Sequence, residues 1–132
     1  MLEGGCHCGA VRYRIEGEPV RAGLCHCTDC RRHTGAPVVG WAIYRQEQVE
    51  TTGELSTYAS SEHGRRQFCP GCGTSLFYLN DVIFAGLIDV QIATLDDPDA
   101  VQPIEQIQLA ESIGWARTMQ ELPAFDRFPP DV

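Results

Sequence analysis

Cys25-His26-Cys27-Thr28-Asp29-Cys30 is the stretch around which the 132-residue chain is organised, with three cysteines within six residues. Zinc in proteins is almost always four-coordinate, so three thiols at this spacing supply all but one of its ligands. A structural zinc site closes all four positions with side chains, whereas a catalytic site leaves one for water or substrate. The stretch therefore predicts a metal site with one position to fill.

The four remaining cysteines form two pairs, Cys6-His7-Cys8 near the start of the chain and Cys69-Pro70-Gly71-Cys72 in its middle. In an extended strand, residues i and i+2 face the same side, so each C-x-C pair, here and at Cys25/Cys27, can offer two sulfurs to one ion while the histidine between them points away. The C-P-x-C-G sequence is typical of a zinc knuckle, in which proline presets the turn. Since each pair lacks two ligands, the two pairs together predict one structural zinc.

Two interpretations remain open for the fourth position beside Cys25, Cys27 and Cys30. Water or a substrate thiol occupies it in a catalytic site, whereas His33, three residues after Cys30 in a helical turn, closes it in a structural one. We favour the open site, with the three cysteines as catalytic zinc ligands. Zinc held by three thiolates suits a fourth sulfur, so the predicted chemistry is the making or breaking of carbon–sulfur bonds.

The composition limits the partners and the compartment. All 10 basic residues are arginine against 18 acidic residues, a net charge of −8, and no basic run could follow a phosphate backbone. We therefore expect no nucleic-acid partner. No apolar stretch approaches the ~18 residues of a membrane helix, and the N-terminus lacks a signal-peptide pattern. These features predict a cytoplasmic protein without membrane association, in which cysteines are ligands rather than disulfides.

Short strands with turn residues between them predict one all-β domain over residues 1–132. The clearest strand is 11–15, where apolar and charged residues alternate. The segment Thr28 to Gly35 predicts a short helix with Thr28 or Asp29 as N-cap. Asn80-Asp81 predicts a two-residue hairpin between strands 75–79 and 82–88. Residues 104–109 are a further candidate strand, and the chain ends in an extended tail.

Three motifs in order resemble the glutathione-dependent formaldehyde-activating family, the S-hydroxymethylglutathione synthases. They are G-x-C-x-C-G-x-V-x-Y at 4–13, C-H-C-x-x-C-R-x-x-x-G at 25–35 and F-C-x-x-C-G-x-x-L-F at 68–77. The resemblance implies a β-tent of small antiparallel sheets and two zinc ions, with glutathione as the thiol and formaldehyde as the aldehyde. It implies a structural zinc on Cys6, Cys8, Cys69 and Cys72 and a catalytic zinc on Cys25, Cys27 and Cys30.

The chain departs from the family pattern in its last third. Gln106 stands where many members carry histidine, and Ser112 stands where lysine is frequent. Arginines are the alternative partners for a glutathione carboxylate, and we predict Arg31 and Arg32 as binding residues, with Arg66 as a further candidate. Ordinary solvated arginines are the competing interpretation for each of these positions.

Two functions from different classes follow from these features. The first is a zinc-dependent carbon–sulfur lyase or synthase acting on a thiol adduct. The second is a non-enzymatic zinc module that binds a protein partner, the role ascribed to Rab-accessory proteins of this general fold. Domains of the centromere protein V type also share the family's fold. An open metal site separates the two, because a binding module requires only closed sites.

Overall fold

The computed structural model describes residues 1–131 and confirms the prediction of a mainly β chain. The strands are β1 Leu2–Gly5, β2 Arg12–Ile15, β3 Arg21–Cys25, β4 Val39–Arg45, β5 Val49–Thr52, β6 Ser56–Ala59, β7 Gly64–Phe68, β8 Ser75–Asn80, β9 Leu87–Gln91 and β10 Gln106–Ile107. The one α-helix of the described chain, α1, spans Thr28–Thr34. Short 3₁₀ turns lie at Gln46–Gln48, Ile92–Thr94, Pro98–Ala100, Leu109–Glu111, Gly114–Arg117 and Met119–Glu121.

The strands form a small sheet and a large one. The small sheet has the order β1-β2-β5 and is antiparallel throughout. The large sheet has seven strands in the order β10-β3-β4-β9-β8-β7-β6. Its pairs are antiparallel except for β10, which pairs in parallel with β3. The structure thus refines the predicted set of small antiparallel sheets into one of three strands and one of seven.

The two faces of the large sheet have different environments. Residues opposite each other in an antiparallel pair share a face, so the register aligns Ala42, Val90 and Phe77 across three strands. This face packs against the small sheet, where the ring of Tyr13 meets the ring of Phe77 edge-on at 5.3 Å. The opposite face carries Trp41 and lines a cavity. Burial on one face therefore leaves the other free to form a site.

Helix α1 follows β3 after two residues, and its N-cap is Cys27, whereas the sequence predicts Thr28 or Asp29. The Cys27 sulfur accepts a hydrogen bond from the backbone N–H of Cys30 at 3.2 Å, which satisfies one of the free donors of the first turn. The predicted end of the helix is confirmed, since Gly35 adopts the left-handed conformation with φ 70°. The cap thus fixes two of the three cysteines relative to each other.

The predicted two-residue hairpin at Asn80-Asp81 is wrong. β8 ends at Asn80, and residues 81–86 form a longer connection before β9 begins. The Asn80 side-chain oxygen accepts hydrogen bonds from the backbone N–H groups of Val82, at 3.1 Å, and Ile83, at 3.0 Å. This local turn diverts the chain from the ladder and leaves both apolar side chains exposed.

The extended geometry predicted for Cys6 and Cys8 is also wrong. β1 ends at Gly5, and the chain turns back so that the backbone N–H of Cys6 donates to the carbonyl of Val11 at 3.0 Å. The candidate strand at 104–109 is reduced to Gln106–Ile107. None of the helices within residues 1–131 is long and apolar enough to cross a bilayer.

Candidate metal centres and the adjoining cavity

Four thiols from two distant segments converge near the end of β7. The sulfur atoms of Cys6, Cys8, Cys69 and Cys72 all lie within 4.8 Å of one another. The Cys6 and Cys8 sulfurs are 3.6 Å apart, and the Cys8 and Cys69 sulfurs are 3.7 Å apart. Four sulfurs at this separation form a set that could hold one metal ion, as the paired motifs predict. We refer to these four residues as the four-thiol group.

Tight backbone turns aim these sulfurs at one point. The backbone N–H of Val11 donates to the Cys6 sulfur at 3.2 Å, which orients the N-terminal turn. At the knuckle, the N–H of Gly73 donates to the carbonyl of Cys69 at 2.8 Å, and Gly73 takes the positive φ of 81° that this turn requires. Hydrogen bonds with Thr74 lower the pKa of Cys72 to about 5. Hydrogen bonding with the Cys6 and Cys72 thiols raises the pKa of Cys8 to about 11, so the turns fix where the sulfurs point while the negative charge lies on Cys72.

The second set consists of Cys25, Cys27 and Cys30, whose sulfurs also lie within 4.8 Å of one another. Cys25 is the last residue of β3, Cys27 is the N-cap of α1, and Cys30 lies in the first turn of the helix. The strand end and the helix start therefore bring together what the C-x-C-x-x-C spacing predicts. We refer to these residues as the three-thiol group.

Arg66 is the positive charge beside the three-thiol group. Its side chain is buried, with one guanidinium nitrogen, Nη1, 3.6 Å from the Cys30 sulfur. The guanidinium carbon lies 4.7 Å from the ring centre of Tyr78, and Nε donates to the Ser60 hydroxyl at 3.1 Å. Hydrogen bonding with the Cys25 thiol, assisted by Arg66, lowers the pKa of Cys30 to about 5. Arg66 thus stabilises thiolate character in the group.

His33 does not join the three-thiol group in the described structure. Its ring instead stacks on Tyr58, with centroids 6.2 Å apart, and meets Phe68 edge-on at 5.8 Å. Burial and the charge of Arg66 lower the pKa of His33. The group of close ligand atoms contains only the three sulfurs among residues 1–131. This placement favours the open interpretation over closure by His33.

A cavity of about 420 Å³ opens on the three-thiol group. All three cysteines line it, and apolar side chains form much of its wall: Trp41, Ile43, Tyr78, Ile83, Phe84 and Ile107. Its volume falls within the ~300 to 1,000 Å³ of small-molecule sites. Ile83 and Phe84 come from the connection 81–86, so the turn that the sequence missed contributes to this wall. The three-thiol group is therefore accessible to a small ligand.

The floor of the cavity includes one row of the large sheet. The register aligns Arg21 with Ile43, Ile43 with Asp89, Asp89 with Tyr78, and Tyr78 with Arg66, so the five side chains share a face. All five residues line the cavity. At one end, Arg21 forms an ion pair with Glu105, which also lines the cavity.

Asp89 is a residue that the sequence analysis did not single out. It is 7% exposed, and its carboxylate takes part in no side-chain hydrogen bond or ion pair among residues 1–131. Burial, with the Cys30 charge as a further cause, raises the pKa of Asp89 to about 7. The available signal was one acidic residue inside the otherwise uncharged strand LIDVQ. Only the register of β9 reveals that it faces the cavity.

Arg31 and Arg32, the arginines predicted to bind substrate, lie on α1 outside the cavity lining. Arg31 donates to the Thr28 hydroxyl at 3.2 Å and to the carbonyl of Glu111 at 3.3 Å. Arg32 is exposed. Their role in binding stays a prediction, and the arginines that line the cavity are Arg21 and Arg66.

Gln106 contacts the histidine of the three-cysteine stretch. The Nε2 atom of His26 lies 2.8 Å from the Gln106 side-chain oxygen, and His26 is buried. Neither residue lines the cavity. This contact ties β10 to the segment between β3 and α1, next to the backbone hydrogen bond from His26 to Ile107.

Together, the fold and these groups define a class of protein: a mainly β scaffold with two potential metal centres, one of which opens into a cavity. The chain belongs to the glutathione-dependent formaldehyde-activating enzyme family, whose model matches residues 1–111. The resemblance seen in the three cysteine motifs is thereby confirmed.

Proteins of known sequence or structure agree with this membership. An uncharacterized lyase of Schizosaccharomyces pombe is 29% identical over 111 residues, covering 74% of this chain and 81% of the relative. A protein of Halomonas elongata, named as a candidate glutathione-dependent formaldehyde-activating enzyme, is 31% identical over 120 residues, covering 83% of this chain and 74% of the relative. A crystal structure of a Rhodobacter sphaeroides protein superposes with a TM-score of 0.60 at 25% identity, covering 79% of this chain and 98% of the other. The overall fold therefore occurs in an experimental structure.

Proposed function

We propose that this protein is a zinc-dependent carbon–sulfur lyase or synthase that forms or cleaves S-hydroxymethylglutathione, the adduct of glutathione and formaldehyde. The observation that carries the proposal is the three-thiol group open to a cavity of about 420 Å³. Family membership and the names of the relatives support the reaction class and the substrates.

The donor atoms of both groups fit zinc. Thiolates are soft ligands that favour zinc over magnesium, calcium or manganese, and a tetrahedral all-sulfur site is typical of structural zinc. We assign a structural zinc to Cys6, Cys8, Cys69 and Cys72 and a second, catalytic zinc to the three-thiol group. Within each group the pKa values diverge: the pKa is lowered at Cys72 and Cys30 and raised at Cys8 and Cys25, so each set carries negative charge on one sulfur while another thiol keeps its proton.

The second zinc, when bound, supplies the electrostatic stabilisation that keeps a substrate thiol ionised and nucleophilic at neutral pH. The protein itself contributes the surroundings. Trp41, Ile43 and Tyr78 line the cavity with apolar surface, which limits water and strengthens electrostatic interactions within it. Arg66 offsets the negative charge that gathers beside Cys30. Both effects favour reaction between a bound thiol and an aldehyde held beside it.

Recognition of glutathione requires groups that meet its two carboxylates. Arg21 faces the cavity and is paired with Glu105, whereas Arg31 and Arg32 lie on α1. We propose that Arg31 and Arg32 meet the parts of the thiol substrate that extend out of the cavity. Arginine suits this role because its planar fork can bind a carboxylate through two hydrogen bonds.

The proposal is tested by measuring the exchange between glutathione, ¹³C-formaldehyde and their adduct at equilibrium by NMR. We expect wild-type protein to accelerate exchange over the rate without protein. We expect Cys27→Ser to reduce that acceleration by about 100-fold, the cost of a reacting group that is no longer held in position. The sample without protein is essential because the uncatalysed addition is itself easy. Equal rates for wild type and Cys27→Ser at saturating zinc would rule out the assignment.

The competing function, a non-enzymatic zinc module with closed sites, receives no support from a specific contact. Its requirement is a fourth protein ligand at the three-thiol group, and His33 packs on Tyr58 and Phe68 instead. The cavity likewise has no role in a purely structural site.

A further inference from the structure

We propose that Asp89 is the catalytic residue that exchanges a proton with the oxygen of the aldehyde-derived carbon, an inference that rests on the proposed function. Hemithioacetal formation must deliver a proton to this oxygen, and cleavage must remove it. A group that does both has to face the cavity, be able to gain and lose a proton, and be free of other partners. Asp89 meets the three requirements.

The first requirement is position. Asp89 lies in the middle of β9 in the large sheet, in register with Ile43 on one side and Tyr78 on the other. It lines the cavity that also contains the three thiols. A central strand holds its backbone on both sides, so the carboxylate is placed by a rigid element rather than by a loop.

The second requirement is a free carboxylate. A buried carboxylate without a partner is costly, and buried polar groups are normally paired. The neighbouring cation does not fill this role, because no ion pair joins Arg66 to Asp89 among residues 1–131 and the guanidinium is directed to Cys30 and Ser60. An unpartnered buried carboxylate that faces a cavity is a functional candidate.

The other acidic residues of the cavity lining are engaged or exposed. Glu105 pairs with Arg21, Glu111 accepts from the backbone N–H of Thr28 at 3.1 Å, and Asp29 is exposed. Asp89 is thus the buried acid of the cavity lining that is left for a substrate.

The proton transfer balances without an oxidant or a further reactant. In cleavage, the Asp89 carboxylate takes the hydroxyl proton, the oxygen electrons form the C=O bond, and the C–S bonding pair leaves with sulfur. In synthesis, sulfur bonds to carbon, the C=O π pair moves to oxygen, and oxygen takes the proton from the Asp89 carboxyl. The proton that the thiol releases on binding is the one that Asp89 passes to oxygen.

The pKa of Asp89, raised to about 7 by burial, is consistent with this role. The charged and titratable groups around it are Arg66 from β7, Tyr78 from β8 and Cys30 from α1. Since the ionised form accepts the proton in cleavage, kcat/KM for cleavage falls as pH falls below about 7. Burial raises this pKa above its unfolded value of ~4, so the folded carboxyl holds its proton where the unfolded one has lost it. Folding stability therefore falls as pH rises from ~4 to about 7 and changes no further above that range through this group.

The test compares Asp89→Asn, which keeps the shape of the side chain, with Asp81→Asn, which removes an exposed acid outside the cavity. We expect Asp89→Asn to lower kcat/KM for cleavage by about 100-fold or more, the usual contribution of a general acid–base. The zinc content of Asp89→Asn should match that of wild type, and its melting temperature at pH 8 should not fall. The decrease in kcat/KM below pH about 7, the acid limb of the pH profile, should disappear in this variant. Zinc content measured at each pH separates this limb from metal loss.

Wild-type kcat/KM in Asp89→Asn would overturn the role, whereas absence of activity in wild type would instead contradict the proposed function. If Asp89→Asn loses zinc or has a lower melting temperature than wild type, the role of Asp89 is tested on the wild-type protein instead. The ¹³C resonance of the Asp89 carboxyl should then respond to the hydroxymethyl adduct and not to S-methylglutathione, which lacks the hydroxyl. An equal response to both compounds would also overturn the proposal.

Discussion

Cys69→Ser is expected to leave the chain without a cooperative folded state. Cys69 is 1% exposed and joins the turn after β7 to the N-terminal segment, 61 residues away at Cys8. Structural zinc contributes ~10 to 16 kcal/mol in zinc-finger peptides, and even a fraction of this exceeds much of the ~5 to 15 kcal/mol that stabilises a domain. Serine lacks the soft thiolate and weakens the site, so the two ends of this long loop are no longer tied.

Thermal unfolding followed by circular dichroism measures this effect, with zinc content determined on the same samples. Cys27→Ser is the matched control, because it also replaces one thiol by a hydroxyl but leaves the four-thiol group intact. Treating wild type with a strong chelator should reproduce the Cys69→Ser result. A cooperative transition within a few degrees of wild type would contradict a structural role for the four-thiol group.

Cys27→Ser is expected to remove one of two zinc ions while the fold persists. Two thiols remain in the three-thiol group, too few to hold the ion firmly. The fold should tolerate this substitution because the serine hydroxyl is a favourable N-cap and can accept the bond from the Cys30 N–H that the Cys27 sulfur accepts now. Removal of the cap, as in Cys27→Ala, should cost a further ~1 kcal/mol.

Metal analysis and thermal unfolding together test this second expectation. Wild type should contain two zinc ions per chain, and Cys27→Ser one, with a melting temperature close to that of wild type. Cys27→Ala removes the same thiol ligand and also the N-cap. Comparing it with Cys27→Ser therefore separates the loss of metal from the loss of helix stability. One zinc per chain in wild type would contradict the division of the cysteines into two groups.

The sequence was informative wherever ligand spacing is local. Three cysteines within six residues converge because a strand end and a helix start are covalently adjacent, and the Cys69/Cys72 turn has its own proline and glycine. The partnership between the N-terminal pair and the knuckle followed from counting ligands. The geometry of the N-terminal pair did not, because Cys6 and Cys8 lie in a turn that hydrogen bonds to Val11 hold in place.

The sequence did not predict the register between strands that are distant along the chain. Asp89 and Arg66 lie 23 residues apart and become neighbours on the cavity floor only through the pairing of β7, β8 and β9. The missed turn at Asn80 has a different, local origin, because its side chain competes with the ladder for backbone N–H groups. Local chemistry therefore identified the thiols, and tertiary pairing placed the acid that we propose to act with them.

The central claim is that the three-thiol group keeps a metal position open for a substrate sulfur, and zinc X-ray absorption tests it most directly. Zn–S distances of ~2.3 Å are resolved from Zn–N or Zn–O distances of ~2.0 to 2.1 Å, so the averaged shell of the two ions reports the fourth ligand. In wild type we expect a light-atom contribution that sulfur replaces when glutathione is added, and that Cys27→Ser lacks. A shell that glutathione leaves unchanged, whether all sulfur or with a fixed imidazole, would contradict the claim.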